Sequence, residues 1–437
     1  MKKENTLKGV FNDLLPEIGK AVTEAGYEAP SPIQEQAIPF LLKGRDILGC
    51  AQTGTGKTAA FSLPILNYLT IGKKRPISGK PQVLILAPTR ELAAQIGDSI
   101  AKYGTHTKIL HTVIFGGVGQ SPQVKTIKRG VHILVATPGR LIDLMNQGLV
   151  HLSAVEIFVL DEADRMLDMG FIHDIKKVMA KLPKKRQSLF FSATMERNVM
   201  ELARKLVQNP AHVTIEPEKP AVDRIVQKMM FVDKKHKDEL IVRLLSSKKM
   251  TRVIVFTQMK HVANKVVRKL EGAGITAAAI HGNKSQTART NALADFKSGK
   301  VRALVATDIA ARGIDVNEVS HVINYDMPVE PETYVHRIGR TARAGAEGDA
   351  ISFCSAPERD YLRAIEALIR TQIPVDLKHS LHSESAMNAT GADAKPGPKV
   401  RQPNRKVVVG ADGRPKKPRK GGSFSAKIRS RRNQGGR

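Results

Sequence analysis

Tryptophan is absent from this 437-residue chain, and aromatic residues make up only 4% of it. A domain that reads bases by stacking them on an aromatic sheet, such as an RRM, is therefore not expected. There are two cysteines, Cys50 and Cys354, far apart in sequence and each in an apolar stretch, so neither a disulfide framework nor a zinc site is indicated. No run of about eighteen apolar residues occurs, which leaves no helix to span a membrane. The opening residues Met1-Lys2-Lys3-Glu4-Asn5 lack the apolar core of a secretory signal. A cytoplasmic protein is expected, or a nuclear one if the source has a nucleus. Negative charge is also scarce: 41 Asp+Glu face 70 Lys+Arg, a net charge of +29. A clustered excess of that size points to a polyanion partner; the plainer reading is a basic protein with none.

The length calls for two or three domains, and a hydrophobic content of 41% is enough to give each a core. The run Ile157-Phe158-Val159-Leu160 reads as a buried parallel strand, and Asp161-Glu162-Ala163-Asp164 follows it. Carboxylates at the carboxyl end of such a strand lie where open α/β sheets bind ligands. Upstream, the strand Ile47 to Ala51 leads into Gln52-Thr53-Gly54-Thr55-Gly56-Lys57-Thr58 and a helix from Thr58 to Leu69. Small residues let backbone amides converge on phosphate, a lysine reaches the β- and γ-phosphates, and a hydroxyl suits Mg²⁺. Ala51 stands where the strict phosphate-loop pattern has glycine. The two signals together describe a nucleotide triphosphatase.

Residues 5–43 read as helix, loop, helix, with Pro30 and Pro32 setting the loop and placing Gln34 at a helix start. A carboxamide there is polar surface or, facing a nucleotide, a match for the N6/N7 edge of adenine. Further strands are expected at 82–87, 108–115 and 131–136. They end in Pro88-Thr89-Arg90, Gly116-Gly117 and Thr137-Pro138-Gly139-Arg140. Each ending alone is an ordinary turn or cap. Together they suggest a shelf of amides, hydroxyls and guanidiniums suited to a phosphodiester backbone. Ser192-Ala193-Thr194, after Phe190-Phe191, is either a helix cap or a hydrogen-bonding partner of the 161–164 loop.

Residues 209–223 are Pro-rich and charged and read as an interdomain linker. A second α/β pattern follows, with strands at 252–256, 276–280, 303–306 and 319–325 and helices at 260–272 and 286–297. Arg337, Arg340 and Arg343 recur at spacing three, which places them on one helical face, solvated or gathered round an anion. From about 376 the pattern collapses. Residues 378–437 carry 16 Lys+Arg against Glu384, Asp393 and Asp412, a net of +13 (16 − 3), which reads as a disordered basic tail. Its binding to nucleic acid would be non-specific and salt-dependent.

With these motifs in this order over about residues 10–370, the chain resembles the DEAD-box ATP-dependent RNA helicases, and within them the bacterial RhlE-type branch. The resemblance implies an α/β fold of two RecA-like parallel-sheet domains in tandem, 1–208 and 224–375, plus the tail, with ATP and Mg²⁺ between them. It implies that Gln34 and Phe11 serve adenine and that Ala51, Gln52, Thr53, Gly54, Thr55, Gly56, Lys57 and Thr58 hold phosphates. Thr58 and Asp161 would hold Mg²⁺ largely through water. Glu162 would activate the attacking water. Asp164 with Ser192-Ala193-Thr194 would link the domains to the site. Asp315 would contact ribose, Arg340 and Arg343 would be arginine fingers, and His336 would bridge to the carboxylate loop.

For RNA the resemblance implicates Pro88, Thr89, Arg90, Gly117, Thr137 and Arg140 in domain one. In domain two it implicates His281, Gly282, Gln286, Arg289 and Thr307. The family usually has glycine where this chain has Ala342. The expected activity is RNA-stimulated ATP hydrolysis coupled to local unwinding of short duplexes or remodelling of RNA–protein assemblies. Ribosomal precursors or RNA-decay machinery are contexts by analogy. A DNA helicase of the same build and an ATP-gated RNA clamp are the alternatives.

Overall fold

Four-residue apolar runs recur along the chain, too short for helices and bounded by turn residues, and each forms a strand. Residues 8–52, 54–215, 225–247, 249–311, 319–342 and 348–395 are described by the computed structural model. In the first half these strands are β1 Ile47–Cys50, β2 Val83–Leu86, β3 His111–Ile114, β4 Ile133–Ala136, β5 Ile157–Leu160, β6 Gln187–Ser192 and β7 Ala211–Thr214. In the second they are β8 Ile225–Phe231, β9 Val253–Phe256, β10 Ala277–Ile280, β11 Ala303–Ala306, β12 His321–Asn324 and β13 Gly348–Cys354. Among the described residues they form a seven-stranded sheet, β3-β4-β2-β5-β6-β1-β7, and a six-stranded sheet, β10-β11-β9-β12-β13-β8. Every pairing is parallel. Central strands are buried along their whole length, which is why they read as continuous apolar runs rather than alternations. Helices cover both faces, and separate apolar clusters fill the two sides of each sheet.

The strand order explains why distant motifs meet. β6 lies between β1 and β5. The segment after β6, Ser192-Ala193-Thr194, therefore sits between the phosphate loop after β1 and the carboxylates after β5. All three are at the carboxyl edge of one sheet, where doubly wound folds place their ligands.

Three expectations about boundaries and helix extent need correction. Residues 211–214 belong to the first sheet rather than to a linker. β7 pairs with β1, burying Ala211 and Val213 and exposing His212 and Thr214, the period-two signature of an edge strand. The preceding Asn209-Pro210 turn masked that short alternation. Residues 216–223 of the expected linker lie outside the described residues.

The disordered tail expected from 376 does not begin there. Residues 376–395 pack on domain two: Asp376 N donates to Met229 O at 2.8 Å and Ser383 N to Phe231 O at 3.0 Å, and Ala386 and Ala394 are fully buried. Sparse alanines among Ser, His and Asn give no periodic signal, yet they suffice for a strap held by backbone bonds. Residues 396–437 lie outside the described residues.

Arg337 and Arg340 do not share a helical face, and Arg343 lies outside the described residues. The helix Pro331–Ile338 stops before Arg340, with Gly339 as its C-cap. Among the described residues no helix is long and apolar enough to cross a membrane.

Candidate nucleotide and nucleic-acid sites

The phosphate loop is shaped by glycine and tied down by the segment before it. Gly54 and Gly56 have φ of 90° and 96°, open to glycine and strained for other residues. A Cβ on Gly56 would lie 2.6 Å from Gln34 Nε2 and 2.8 Å from Ser31 Oγ. Ser31 and Gln34 form a capping box for the helix Pro32–Leu42, with Ser31 N donating to Gln34 Oε1 at 2.8 Å. The same two side chains reach across to the loop: Ser31 Oγ donates to Thr55 O at 2.8 Å and Gln34 Nε2 to Gly56 O at 3.2 Å. Gln34 is thus buried and couples the 26–34 segment to the loop, with one amide hydrogen and one lone pair of its carboxamide left over from these two bonds. Phe11 is wholly buried in the domain-one core, edge-on to Tyr27 at 5.8 Å.

Lys57 begins the helix Lys57–Gly72, and its Nζ donates to Ala51 O at 2.8 Å. Gln52 and Gly54 are exposed, Thr55 donates its hydroxyl to Gln52 O at 2.9 Å, and Thr58 is half-buried beside Lys57. Backbone amides at the start of that helix and an ammonium next to them form an anion site.

Facing this loop, Asp161 is buried, with Glu162 N donating to its Oδ1 at 3.0 Å. Burial pushes the Asp161 carboxyl up, to about 6, and Lys57 pulls against it while Glu162 and Asp164 add to the rise. Glu162 caps the helix Ala163–Asp168 at φ 53°, in the left-handed region, and is paired with Arg165. Strained backbone of this kind persists where the surroundings over-determine it and clusters at functional sites. Asp164 accepts from Ala193 N at 2.9 Å and Thr194 N at 3.1 Å, while Ser192 Oγ accepts from Asp164 N at 3.3 Å. Of the two readings of Ser192-Ala193-Thr194, the geometry therefore favours the carboxylate partner.

Domain two reaches the same helix. His336, in the last turn of the helix Pro331–Ile338, lies near enough to Arg165, Asp164 and Asp168 to feel their charge. Desolvation, then Arg165 and Arg340, hold its pKa below the usual imidazole value, against the pull of Asp164 and Asp168. Arg340 is buried and donates through Nε to His336 O at 3.4 Å. Thr53, Asp315 and Arg343 lie outside the described residues.

A second group of residues lines the cleft away from the phosphate loop. Pro88 and Thr89 are buried, and Thr89 Oγ1 caps the helix Arg90–Tyr103 by accepting from Leu92 N. Gly117 has φ 78°, and a Cβ there would collide with the Arg90 guanidinium. The glycine is thus needed for the close approach of Arg90. Thr137 is the N-cap of the helix Pro138–Asn146. Arg140, on that helix, donates to Gln123 Oε1 and Val118 O, both at 3.1 Å.

From domain two, Gln286 accepts from Arg90 Nη1 and donates to Glu91 Oε1, each at 3.2 Å, and Arg289 pairs with Glu91 at 2.9 Å. Burial, with Arg289 and Arg140 nearby, lowers the Arg90 pKa against the pull of Glu91. Arg289 of domain two thus pairs with Glu91 beside Arg90 of domain one, with Arg140 near enough for Arg90 to feel its charge, an arrangement suited to a further anion. His281 is buried, with Nδ1 accepting from Asn283 N at 3.3 Å, so Nε2 carries the hydrogen and donates to Asn264 Oδ1 at 3.0 Å. Gly282 is exposed beside it, and Thr307 O accepts from Ala310 N and Ala311 N at the start of a short helix.

Sequence reasoning missed several participants. Ser31 was legible, because Ser-x-x-Gln before an apolar run is a capping-box signature. Glu91, lying between Thr89-Arg90 and the helix it opens, gave no signal because its partners are about two hundred residues away. Arg337 is fully buried: its Nε and Nη2 grip Asp308 at 2.6 and 2.8 Å, and its Nη1 donates to Asn324 and the Asp326 carbonyl. It serves the domain-two core rather than an incoming anion.

Comparison with known proteins fits this geometry. Residues 31–202 match the DEAD/DEAH box helicase family and residues 236–345 the helicase conserved C-terminal domain. The chain is similar to the DEAD-box ATP-dependent RNA helicase CshA of Bacillus licheniformis, 42% identical over 353 residues, 81% of this chain and 72% of that one. It is likewise similar to the DEAD-box ATP-dependent RNA helicase RhpA of Helicobacter pylori, 42% identical over 368 residues, 84% and 74% of the two chains. Its fold is similar to that of S. cerevisiae Dbp5 bound to RNA and ADP BeF3, with a TM-score of 0.72 at 33% identity, covering 84% of this chain and 95% of that one. With the phosphate loop, the carboxylate pair and the two RecA-like sheets in place, the chain belongs to the DEAD-box ATP-dependent RNA helicase family.

Proposed function

We propose that the protein is an RNA-dependent ATPase that separates short RNA duplexes locally or remodels RNA–protein assemblies. The observation that carries this reading is the division of the site. Phosphate loop and carboxylates share one sheet edge of domain one, and His336 of domain two, bonded by Arg340, lies close to the same carboxylate helix.

In this reading Lys57 and the amides at the head of its helix take the β- and γ-phosphates, and Gln34, with Phe11 behind it, serves adenine. Because Gln34 already holds Gly56 O, occupation of the base site is felt directly by the loop. Thr58 and Asp161 offer only oxygen donors, which suits Mg²⁺, an ion that keeps several waters and is held by one or two carboxylates together with substrate phosphates. Glu162 orients the attacking water and takes its proton. Phosphoryl transfer needs charge neutralisation more than covalent help, so cations from domain two, Arg340 with Arg343, complete the site only when the domains close. Asp315 contacts ribose.

Arg90, Arg140, Arg289, Gln286 and the Thr89, Thr137 and Thr307 termini take one RNA strand by its backbone. RNA and ATP each favour closure and so favour one another. A cytoplasmic setting, and ribosomal precursors or RNA-decay machinery as context, belong to this proposal by family analogy. Placement in the RhlE-type branch rests on the resemblance alone.

Steady-state ATPase with no nucleic acid, with single-stranded RNA and with DNA of equal sequence, at fixed salt, tests the reading. Strong stimulation by RNA alone is expected. Equal stimulation by DNA would move the protein to a DNA helicase, and RNA retention by ATP without stimulated turnover would make it a clamp.

A further inference from the structure

The two outer edges of the domain-two sheet are treated differently. At β8 the chain covers its own edge: Met229 N donates to Pro374 O at 2.8 Å, and residues 376–383 continue the contact. At the other side β10 is the outermost strand, paired only with β11. The Thr276 carbonyl accepts from Arg302 and Ala303 and the Ile280 carbonyl from Thr307, so the even-numbered residues face β11. Ala277 and Ala279 therefore turn their N–H and C=O groups outward. Among the described residues no backbone hydrogen bond reaches them from outside the sheet. Natural edges are normally blunted by lysine, proline, a bulge or a covering segment. Ala277-Ala278-Ala279-Ile280 has none of these.

A groove of about 690 Å³ runs along this edge. One wall is the helix Lys260–Gly272, presenting Val267 and Arg268, and the other is the helix Gln286–Lys297, presenting Ala288 and Ala292. Small residues on the strand and on one wall leave room for an added strand whose side chains alternate between the two helices. Lys284 closes one end. Arg268 and Lys284 are exposed and make no ion pair among the described residues. Glu271 is the single carboxylate on the rim.

We propose that the β10 edge and the cationic groove between these two helices form a docking site for an extended acidic peptide of a partner protein, which adds a strand beside β10. Main-chain bonds to Ala277 and Ala279 supply affinity, and Arg268 and Lys284 select acidic side chains. The site lies outside the ATP and RNA residues assigned above, and the proposal stands apart from the activity reading.

The test is fluorescence anisotropy of the full chain with a labelled short peptide of alternating aspartate and valine. Its lysine–valine counterpart and a labelled oligouridylate serve as the other probes. Saturable binding of the acidic peptide alone is expected, weakened about tenfold by Arg268→Glu. Ala279→Pro should abolish it, because it removes an outward N–H and no ladder bond. RNA-stimulated ATPase should stay at the wild-type level in Arg268→Glu, whose exposed side chain makes no ion pair among the described residues. That variant decides the matter if the proline disturbs folding. No binding of the acidic peptide, or equal binding by wild type and Arg268→Glu, would overturn the proposal. Loss of oligouridylate affinity in Arg268→Glu without peptide binding would assign the groove to RNA instead.

Discussion

The two domains end a parallel strand in an acidic residue, and they use it in opposite ways. After β5, Asp161 is buried without a salt-bridge partner among the described residues and its carboxyl is pushed up in pKa. After β11, Asp308 is gripped by both arms of Arg337, which also lies 5.2 Å from the centre of the Phe256 ring. One fold thus yields, among the described residues, a buried carboxylate without an ion pair at the candidate site and an ion-paired one in the other domain. Domain one keeps the strained backbone of Glu162 beside its carboxylate, whereas domain two closes its own with Arg337. The functional sheet edge is the one where burial leaves charge uncompensated.

Removing Glu162, the carboxylate proposed to activate water, should have the largest effect. Glu162→Gln is expected to lower RNA-stimulated kcat by roughly 10²–10⁴-fold. Nucleotide and RNA binding, read by equilibrium titration, should be retained, and wild-type turnover would sink the assignment. Arg337→Met attacks the other half of the comparison. It removes a fully buried guanidinium and leaves the partly exposed Asp308 unpaired, and should cost about 1–3 kcal/mol in denaturant unfolding. An unchanged unfolding midpoint would mean that Asp308 is solvated after all.

Ala342 has φ 53°, a conformation that suits glycine better. Ala342→Gly should therefore stabilise domain two by up to about 1 kcal/mol. A loss of stability would show that the alanine is held there by packing.

The smallest effects are in pH. The folded pKa of Asp161 lies above its unfolded value, so its contribution is lost as pH rises from about 4 through about 6. Asp161→Asn should then raise the melting temperature of the protein above pH 6 while ending turnover. His281 has the opposite sign. Burial, Lys284, Lys260 and Arg289 lower its pKa, so its contribution is present above about 6.5 and is lost as pH falls. His281→Asn should flatten the acid side of the stability profile.

Much of this was legible in the sequence. Continuous apolar runs marked the buried strands, and the helices at 260–272 and 286–297 fall where periodicity put them. The phosphate loop, the carboxylates and the arginine-bearing strand ends are local patterns with local physics. What escaped was decided by partners distant in sequence. β7 is a strand because β1 offers an edge, and the 376–395 strap is ordered because β8 offers another. Arg337 looked like its neighbours Arg340 and Arg343 until Asp308, twenty-nine residues upstream, claimed it. Gly117 was expected among the RNA residues, and only the fold reveals that Arg90 lies where its side chain would be.

The central claim is that Glu162 of domain one and Arg340 of domain two act as one unit across the cleft. It is tested most directly by RNA-stimulated kcat in Glu162→Gln, Arg340→Ala and the double variant. Groups that work as a unit are strongly non-additive, so the double variant should be no slower than the slower single variant. A double variant slower by the product of the two single losses would contradict the account, because the residues would then act independently.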